Sequence, residues 1–256
     1  MRIIVSPAKQ MAVDTDSFAC AGLPQFLPRA QRLLDALRAL TPQARQALWR
    51  CSDKIAAENE QRLRTADLRR GLTPALLAYQ GIQYRTMAPG VFTDSQLAYV
   101  QRHLRILSGF YGLLRPLDGV APYRLEMQAT LTVDGAKDLY AFWGGQIADA
   151  LFAETDTVLD LASKEYSRCV APYRPEGARI VECRFVEDVG GKLAEKGTYC
   201  KMARGEMVRY LAETDARTAE QARGFDRLGY RFAPEQSDAG CYVFVRDPNG
   251  PPMRRP

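Results

Sequence analysis

Apolar residues along this chain follow two periods, and the places where one gives way to the other predict an alternation of strands and helices. Arg2-Ile3-Ile4-Val5 is a continuous apolar run expected to form a buried strand, and Ser6-Pro7-Ala8-Lys9 follows it directly. That order puts a hydroxyl and an amine on the loop at a strand's carboxyl end, where open sheets hold ligands. From Pro28 to Arg70 the pattern turns helical, with Leu33, Leu34, Leu37 and Leu40 on one stripe. Thr41-Pro42 reads as an N-cap with proline at the first helical position, opening a second helix that runs to Trp49. Cys51-Ser52-Asp53 interrupts the spacing and Lys54 to Arg64 resumes it, so a helix, short turn, helix unit is expected.

Ser95 to Leu107 is predicted as a helix entering the run Ser108-Gly109-Phe110-Tyr111-Gly112-Leu113-Leu114-Arg115-Pro116-Leu117-Asp118-Gly119, whose glycines permit backbone geometries that a side chain would forbid. A further helix begins near Leu139 and carries Phe142, Trp143, Ile147 and Leu151 inward. Thr157 to Leu161 is the best central strand, and Ala162-Ser163-Lys164-Glu165-Tyr166 sits at its carboxyl end, repeating the arrangement at the N-terminus. Arg179 to Val186 and a return strand ending near Tyr199 bracket Gly190-Gly191 as a hairpin, Lys201 to Glu213 is helical, and Tyr230–Phe232 with Cys241–Val245 form a last strand pair. No repeat or linker divides the chain. The expectation is one mixed α/β (α+β) domain over residues 1–247, a mixed sheet flanked by helices, with 248–256 as a flexible tail.

Composition narrows the chemistry more than the fold. A chain of 256 residues, 46% hydrophobic and 25% charged, buries enough surface to need no disulfide framework or structural metal. Its apolar stretches are too short to span a bilayer and its opening too short for a signal segment, so a soluble cytoplasmic protein without membrane association, acting as a monomer, is expected. The six cysteines form no C-x-x-C pair, and the one histidine, His103, removes most zinc sites and most triads; no metal or cofactor is expected. The net charge is +5, and 28 of the 35 basic residues are arginine. A guanidinium grips phosphate in a planar fork that lysine cannot match, so the balance suits a polyanionic partner.

Three segments concentrate polar chemistry: Ser6 to Lys9, Arg115 to Arg124, and Lys201 to Arg209. In the third, Lys201, Arg204 and Arg209 follow near-helical spacing and Gly205 leaves room for a partner to approach, although a solvated helix face would carry the same charges. Arg115-Pro116 and Pro122-Tyr123-Arg124 hold two guanidiniums and a phenol on stiffened backbone; arginines satisfying loop carbonyls are the plainer alternative. Ser6-x-x-Lys9 matches the spacing of serine acylases, but the companion S-D-N and K-T-G motifs are absent. His103, between Arg102 and Arg105, reads as a surface residue. Neither glycine-rich phosphate-loop pattern occurs. The unit from Leu48 to Asn59 has the outline of a helix-hairpin-helix, with Ser52 and Asp53 where hairpin glycines are usual; an ordinary helical corner fits the same residues.

The run Ser108 to Asp118, followed by Pro122-Tyr123-Arg124-Leu125-Glu126-Met127, strongly resembles the YaaA family of bacterial peroxide stress resistance proteins. Ser6-Pro7-Ala8-Lys9, Ser52-Asp53-Lys54, Leu139-Tyr140-x-Phe142-Trp143-Gly144, Leu161-Ala162-Ser163-x-Glu165-Tyr166 and Lys201-x-Ala203-Arg204-Gly205-x-Met207-x-Arg209 extend the likeness over nearly the whole chain. Where that family usually has Gly-Asp-Val-Tyr, this chain has Gly81-Ile82-Gln83-Tyr84. The resemblance implies a family-specific single-domain fold, a positively charged cleft, a helix-hairpin-helix element and binding to double-stranded DNA, with a taste for distorted or branched forms. It also implies a role in limiting free iron, and so Fenton damage, when peroxide rises.

These readings combine into one expectation. Lys9, Arg115, Arg124, Lys201, Arg204 and Arg209 line a cleft and contact phosphates, with Ser52 and Lys54 at the hairpin. Six neutralised phosphates would give a slope of about -5 for log affinity against log salt. Ser6, Tyr123, Ser163, Glu165 and Tyr166 are unnecessary for gripping a backbone, and they motivate the alternative of an enzyme acting on a small phosphorylated or nucleobase-like substrate in the same cleft. A deep pocket would favour the enzyme and a long open groove the DNA.

Overall fold

A computed structural model of the protein describes residues 1–247; the segment 248–256, expected as a tail, lies outside the described residues. The chain order is β1 (Arg2–Val5), β2 (Gln10–Met11), α1 (Leu27–Ala39), α2 (Pro42–Trp49), α3 (Asp53–Thr65), β3 (Thr73–Pro74), α4 (Ala75–Ala78), β4 (Tyr79–Gln80), α5 (Ile82–Met87) and α6 (Asp94–His103). It continues through β5 (Leu104–Ser108), β6 (Gly112–Leu114), β7 (Gly119–Val120), α7 (Leu139–Trp143), α8 (Gln146–Phe152), β8 (Thr157–Asp160), α9 (Lys164–Ser167), β9 (Arg179–Val189), β10 (Lys192–Ala194), α10 (Gly197–Glu213), β11 (Tyr230–Phe232) and β12 (Cys241–Arg246).

The central sheet runs β11-β12-β9-β8-β1-β5-β6, with β10 hairpinned onto β9. Its five inner strands, β12, β9, β8, β1 and β5, are mutually parallel, and β6 and β11 close the edges antiparallel. The mixed α/β expectation holds. Parallel strands are covered on both faces, which is why Ile3, Ile4, Val5, Val158 and Leu159 are wholly buried in unbroken apolar runs instead of alternating. On the helical side, Leu33, Leu34 and Leu37 of α1 face the core, and the Thr41 hydroxyl accepts the Ala44 N-H at 3.2 Å as the N-cap of α2. Among the described residues, no helix is long and apolar enough to cross a membrane.

Three boundaries differ from expectation. The helix predicted over 95–107 stops at His103, because Leu104–Ser108 is a strand buried at every position and pairs in parallel with β1. The return strand predicted to end near Tyr199 is only Lys192–Ala194, and α10 has already begun at Gly197. The helix near Leu139 is two short helices broken at Gly144 and Gly145, although Phe142, Trp143, Ile147 and Leu151 are all buried as expected.

The connections from β1 and β8 diverge. The chain leaving β1 returns to the sheet at β5 on one side, whereas the chain leaving β8 returns at β9 on the other. Adjacent parallel strands whose outgoing connections part in this way leave a crevice beyond their carboxyl ends, the switch point at which open α/β sheets place ligands.

Candidate functional site

At that switch point the two strand-end loops join. The Ser6 hydroxyl accepts the Ser163 N-H at 2.8 Å and lies 3.1 Å from the Ser163 hydroxyl, so the loop after β1 and the turn after β8 are pinned together across 157 positions of sequence. From α5, the Tyr84 hydroxyl and the Gln83 amide both donate to the Ser6 carbonyl, at 2.9 and 3.2 Å. Helix α10 packs against α5 at a distance only glycine allows: a Cβ on Gly205 would lie 2.0 Å from the Gln83 carbonyl oxygen. The partner that Gly205 admits is therefore α5 and not a ligand, which corrects the expectation for this residue.

The result is a cleft of about 500 Å^3 lined by Ser6, Lys9, Tyr123, Arg124, Glu126, Ser163, Glu165, Tyr166, Lys201 and Arg204, among others. Nine of the residues singled out in the sequence thus meet in one place. Their electrostatics are uneven. Glu126 sits 2.8 Å from the Lys9 ammonium and 3.3 Å from the Arg124 guanidinium, partly neutralising both. Lys201 and Arg204, one turn apart on α10, form no side-chain hydrogen bond or ion pair among the described residues, and the buried Nε of Arg204 has no acceptor. The Nε of Arg124 is likewise buried without an acceptor. Burial, and then the nearby Glu126 charge, push the Glu165 carboxyl up from its ordinary range, so it takes a proton more readily than a solvated glutamate. Burial also pushes Asp160, at the end of β8, up to about 6; its carboxyl accepts the Ala162 N-H at 2.8 Å and the Ser167 hydroxyl at 2.6 Å. Beneath the cleft, the hydroxyls of Tyr79, Tyr123 and Ser108 form a chain with 2.8 and 2.7 Å links, and burial holds the Tyr123 phenol up at about 12, hence neutral.

Four expected contacts lie elsewhere. Arg115 follows β6, which runs antiparallel to β5, so it emerges at the amino ends of the parallel strands, where its guanidinium pairs with Glu154 at 3.0 Å. Arg209 is five residues beyond Arg204, a rotation of about 140° around the helix, and it pairs with Glu213 at 2.8 Å. Ser52 is the N-cap position of α3 and Lys54 lies in its first turn, both exposed and outside the cleft lining. Their helix does reach the cleft mouth through Ile55, and Arg124 ties α2 to it by donating to the Trp49 carbonyl at 3.4 Å. The α2–α3 turn is fixed by a two-pronged pair, at 2.5 and 2.7 Å, between buried Arg45 and half-buried Glu60. Asp53 in the first turn of α3 accepts from Gln46 at 2.6 Å and places negative charge where a phosphate would otherwise sit.

His103, expected at the surface, is half-buried there: it stacks on Tyr99, its ring centroid 4.5 Å away, and bonds the Met1 carbonyl at 3.0 Å. Gln83 and Glu126 were missed as site residues. Glu126 stood inside the quoted Tyr123 to Met127 motif, and its position two residues after Arg124 was the available signal. Ile82, the first residue by which this chain departs from the Gly-Asp-Val-Tyr expected from the resemblance, lines the cleft. Among the described residues, no three His, Cys, Asp or Glu side chains are grouped to share a metal ion.

Comparison with known proteins finds a family model and relatives that span most of the chain. A family model described as "Peroxide stress protein YaaA" matches residues 1–236. A UPF0246 protein of Agathobacter rectalis is 47% identical over 246 residues, covering 96% of this chain and 99% of its own. One from Lactiplantibacillus plantarum is 48% identical over 245 residues, with 96% and 99% covered, and one from Desulfitobacterium hafniense is 47% identical over 246, with 96% and 98% covered. With a matching family model over most of its length, and relatives near half identity along nearly all of it, the chain belongs to the YaaA peroxide stress protein family.

Proposed function

We propose that the protein acts in the response to peroxide by binding duplex or distorted DNA through the switch-point cleft, and so helps limit iron-dependent oxidative damage. The observation that carries this reading is the pair Lys201 and Arg204: two cations on one face of α10 that line a concave site and form no side-chain ion pair among the described residues, with Asp160 acting on Arg204 only at longer range. Phosphate oxygens supply what these groups lack, and Lys9 and Arg124 add two further cations whose Glu126 partner can be exchanged for a phosphate. The Ile55 end of α3 lies beside them, so a strand entering the cleft passes the α2–α3 corner. A charge-assisted contact of this kind contributes about 1.5–3 kcal/mol, so Arg204→Ala is expected to weaken binding roughly ten-fold or more. The assay is competition between linear and junction DNA for wild type and variant. Equal binding by the two proteins removes the cleft from the account.

One observation favours a second reading. The cleft is a bounded concavity at strand ends, of the size that encloses a small ligand, and it holds Glu165, whose carboxyl burial pushes up, beside Tyr166 and Ser163. These features suit an enzyme acting on a small phosphorylated or nucleobase-like substrate. Thermal stabilisation by millimolar nucleoside monophosphates, abolished in Arg204→Ala, would favour it; no shift with any of them, alongside tight DNA binding, rejects it.

A further inference from the structure

The amino ends of the same strands carry a second basic concavity. Arg2 opens β1, and the parallel register of Ile3 with Leu104 sets it beside the end of α6, which supplies Arg102 and His103. Arg105 belongs to β5, and the antiparallel register of Ile106 with Leu114 returns Arg115 alongside it; Arg217 arrives from the segment after α10. These six residues line a hollow of about 590 Å^3.

Its charges do not balance. Glu154 alone serves three guanidiniums, those of Arg2 at 2.8 Å, Arg105 at 2.5 Å and Arg115 at 3.0 Å. Asp215 pairs with Arg217 at 2.7 Å and its charge also acts on Arg102, which forms no side-chain hydrogen bond or ion pair among the described residues. Buried Asp118 also acts on Arg105 and Arg115, so five guanidiniums and the N-terminal ammonium face three carboxylates. The surplus acts on its neighbours: burial first, and then the N-terminus, Arg2 and Arg102, hold the His103 imidazole below its ordinary range. Arg105 is almost fully buried, whereas the side chains of Arg115 and Arg217 are 57% and 74% exposed. The hollow thus has a fixed floor and reachable, forked rim donors, the arrangement that grips phosphate in two-pronged fashion.

We infer that this hollow is a second phosphate-backbone site, which takes a second DNA segment while the cleft holds the first, so that one protein molecule bridges two duplexes. The four residues of β1 separate the sites by roughly 13 Å along the strand, and they open at opposite ends of the sheet, so one straight duplex cannot occupy both. The inference rests on the DNA reading of the cleft.

The test is the number of short fluorescent duplexes bound per protein at saturation and low salt, by sedimentation. Wild type is expected to bind two. Arg102→Glu/Arg217→Glu, both exposed residues, should bind one, as should Lys201→Ala/Arg204→Ala. Lys192→Glu/Arg231→Glu makes the same change in net charge at remote exposed positions and should still bind two. Saturation of wild type at one duplex, or two duplexes on Arg102→Glu/Arg217→Glu, overturns the second site and leaves the cleft standing. Loss of one duplex in Lys192→Glu/Arg231→Glu also overturns it, because net charge alone would then explain the stoichiometry. No binding by wild type removes the cleft reading and this inference together.

Discussion

Gly205→Ala sets two physical effects against each other. In an exposed helix interior the exchange adds about 1 kcal/mol of stability through helix propensity. Here the new Cβ would stand 2.0 Å from the Gln83 carbonyl oxygen and 3.1 Å from the Met87 nitrogen, both backbone atoms that cannot swing aside as a side chain does. Relief requires α5 and α10 to part by roughly 1 Å, against an interior packed as densely as an organic crystal. Overpacking costs about 1–3 kcal/mol and occasionally more, and a 2.0 Å approach to backbone belongs at the upper end; less the propensity gain, the net effect is a destabilisation of about 2 kcal/mol. For a chain of this size, that is a fall of about 4–8 °C in Tm. The displacement also moves Gln83 and Tyr84, which anchor the Ser6 carbonyl, so DNA affinity should drop in protein that remains folded. Differential scanning calorimetry with a parallel binding titration measures both. An unchanged or raised Tm would mean that α5 and α10 are not in backbone contact, and the geometry assigned to the cleft wall would be wrong.

Asp160→Asn should flatten the pH dependence of stability. The folded carboxyl titrates at about 6 against 3.8 for an ordinary aspartate, so the folded state holds a proton that the unfolded chain has released, and wild-type stability from this group is lost as pH rises from about 4 through 6. The loss reaches at most about 3 kcal/mol; denaturant titrations at pH 4.5 and 7.5 should show the variant gaining on wild type, and the opposite trend would refute the assignment. Ile82→Asp places an acid in the cleft wall and should weaken DNA binding several-fold at low salt, with less effect at high salt, by fluorescence anisotropy. Burial raises the thiols of Cys20, Cys169, Cys183, Cys200 and Cys241 away from the thiolate. Brief exposure to stoichiometric hydrogen peroxide should therefore leave these five unmodified by mass spectrometry, and a sulfenate at any of them would contradict the environment described.

Much of the cleft was legible because its chemistry sits next to strands that announce themselves. Arg2–Val5 and Thr157–Asp160 are unbroken apolar runs, and the polar residues immediately after each had to emerge at a carboxyl end. Arg115 was misplaced because a sequence cannot state the direction in which a short strand is traversed: Gly112–Leu114 runs back along β5 and delivers it to the opposite end of the sheet from Arg124, nine residues later. The left-handed backbone of Gly112, at φ 75°, makes that reversal, and a Cβ there would also meet the Trp143 ring at 2.8 Å. The helix expected over 95–107 overran because Leu104, Ile106 and Leu107 satisfy a helical stripe and a buried strand equally well. Arg209 could have been set aside from sequence, since five residues cannot bring it onto the face of Arg204. The surplus at the amino ends was invisible, being assembled from Arg2, Arg102, Arg105, Arg115 and Arg217 only by strand register.

The salt dependence of DNA affinity tests the central claim most directly. Each phosphate neutralised contributes about -0.9 to the slope of log affinity against log salt, so the four cleft cations set a limit of about -4, in place of the -5 expected for six. Measured with a short duplex in the Arg102→Glu/Arg217→Glu background, where only the cleft binds, Lys201→Ala/Arg204→Ala should make the slope shallower by about 2. A slope unchanged by that double substitution, with affinity also unchanged, would contradict the account.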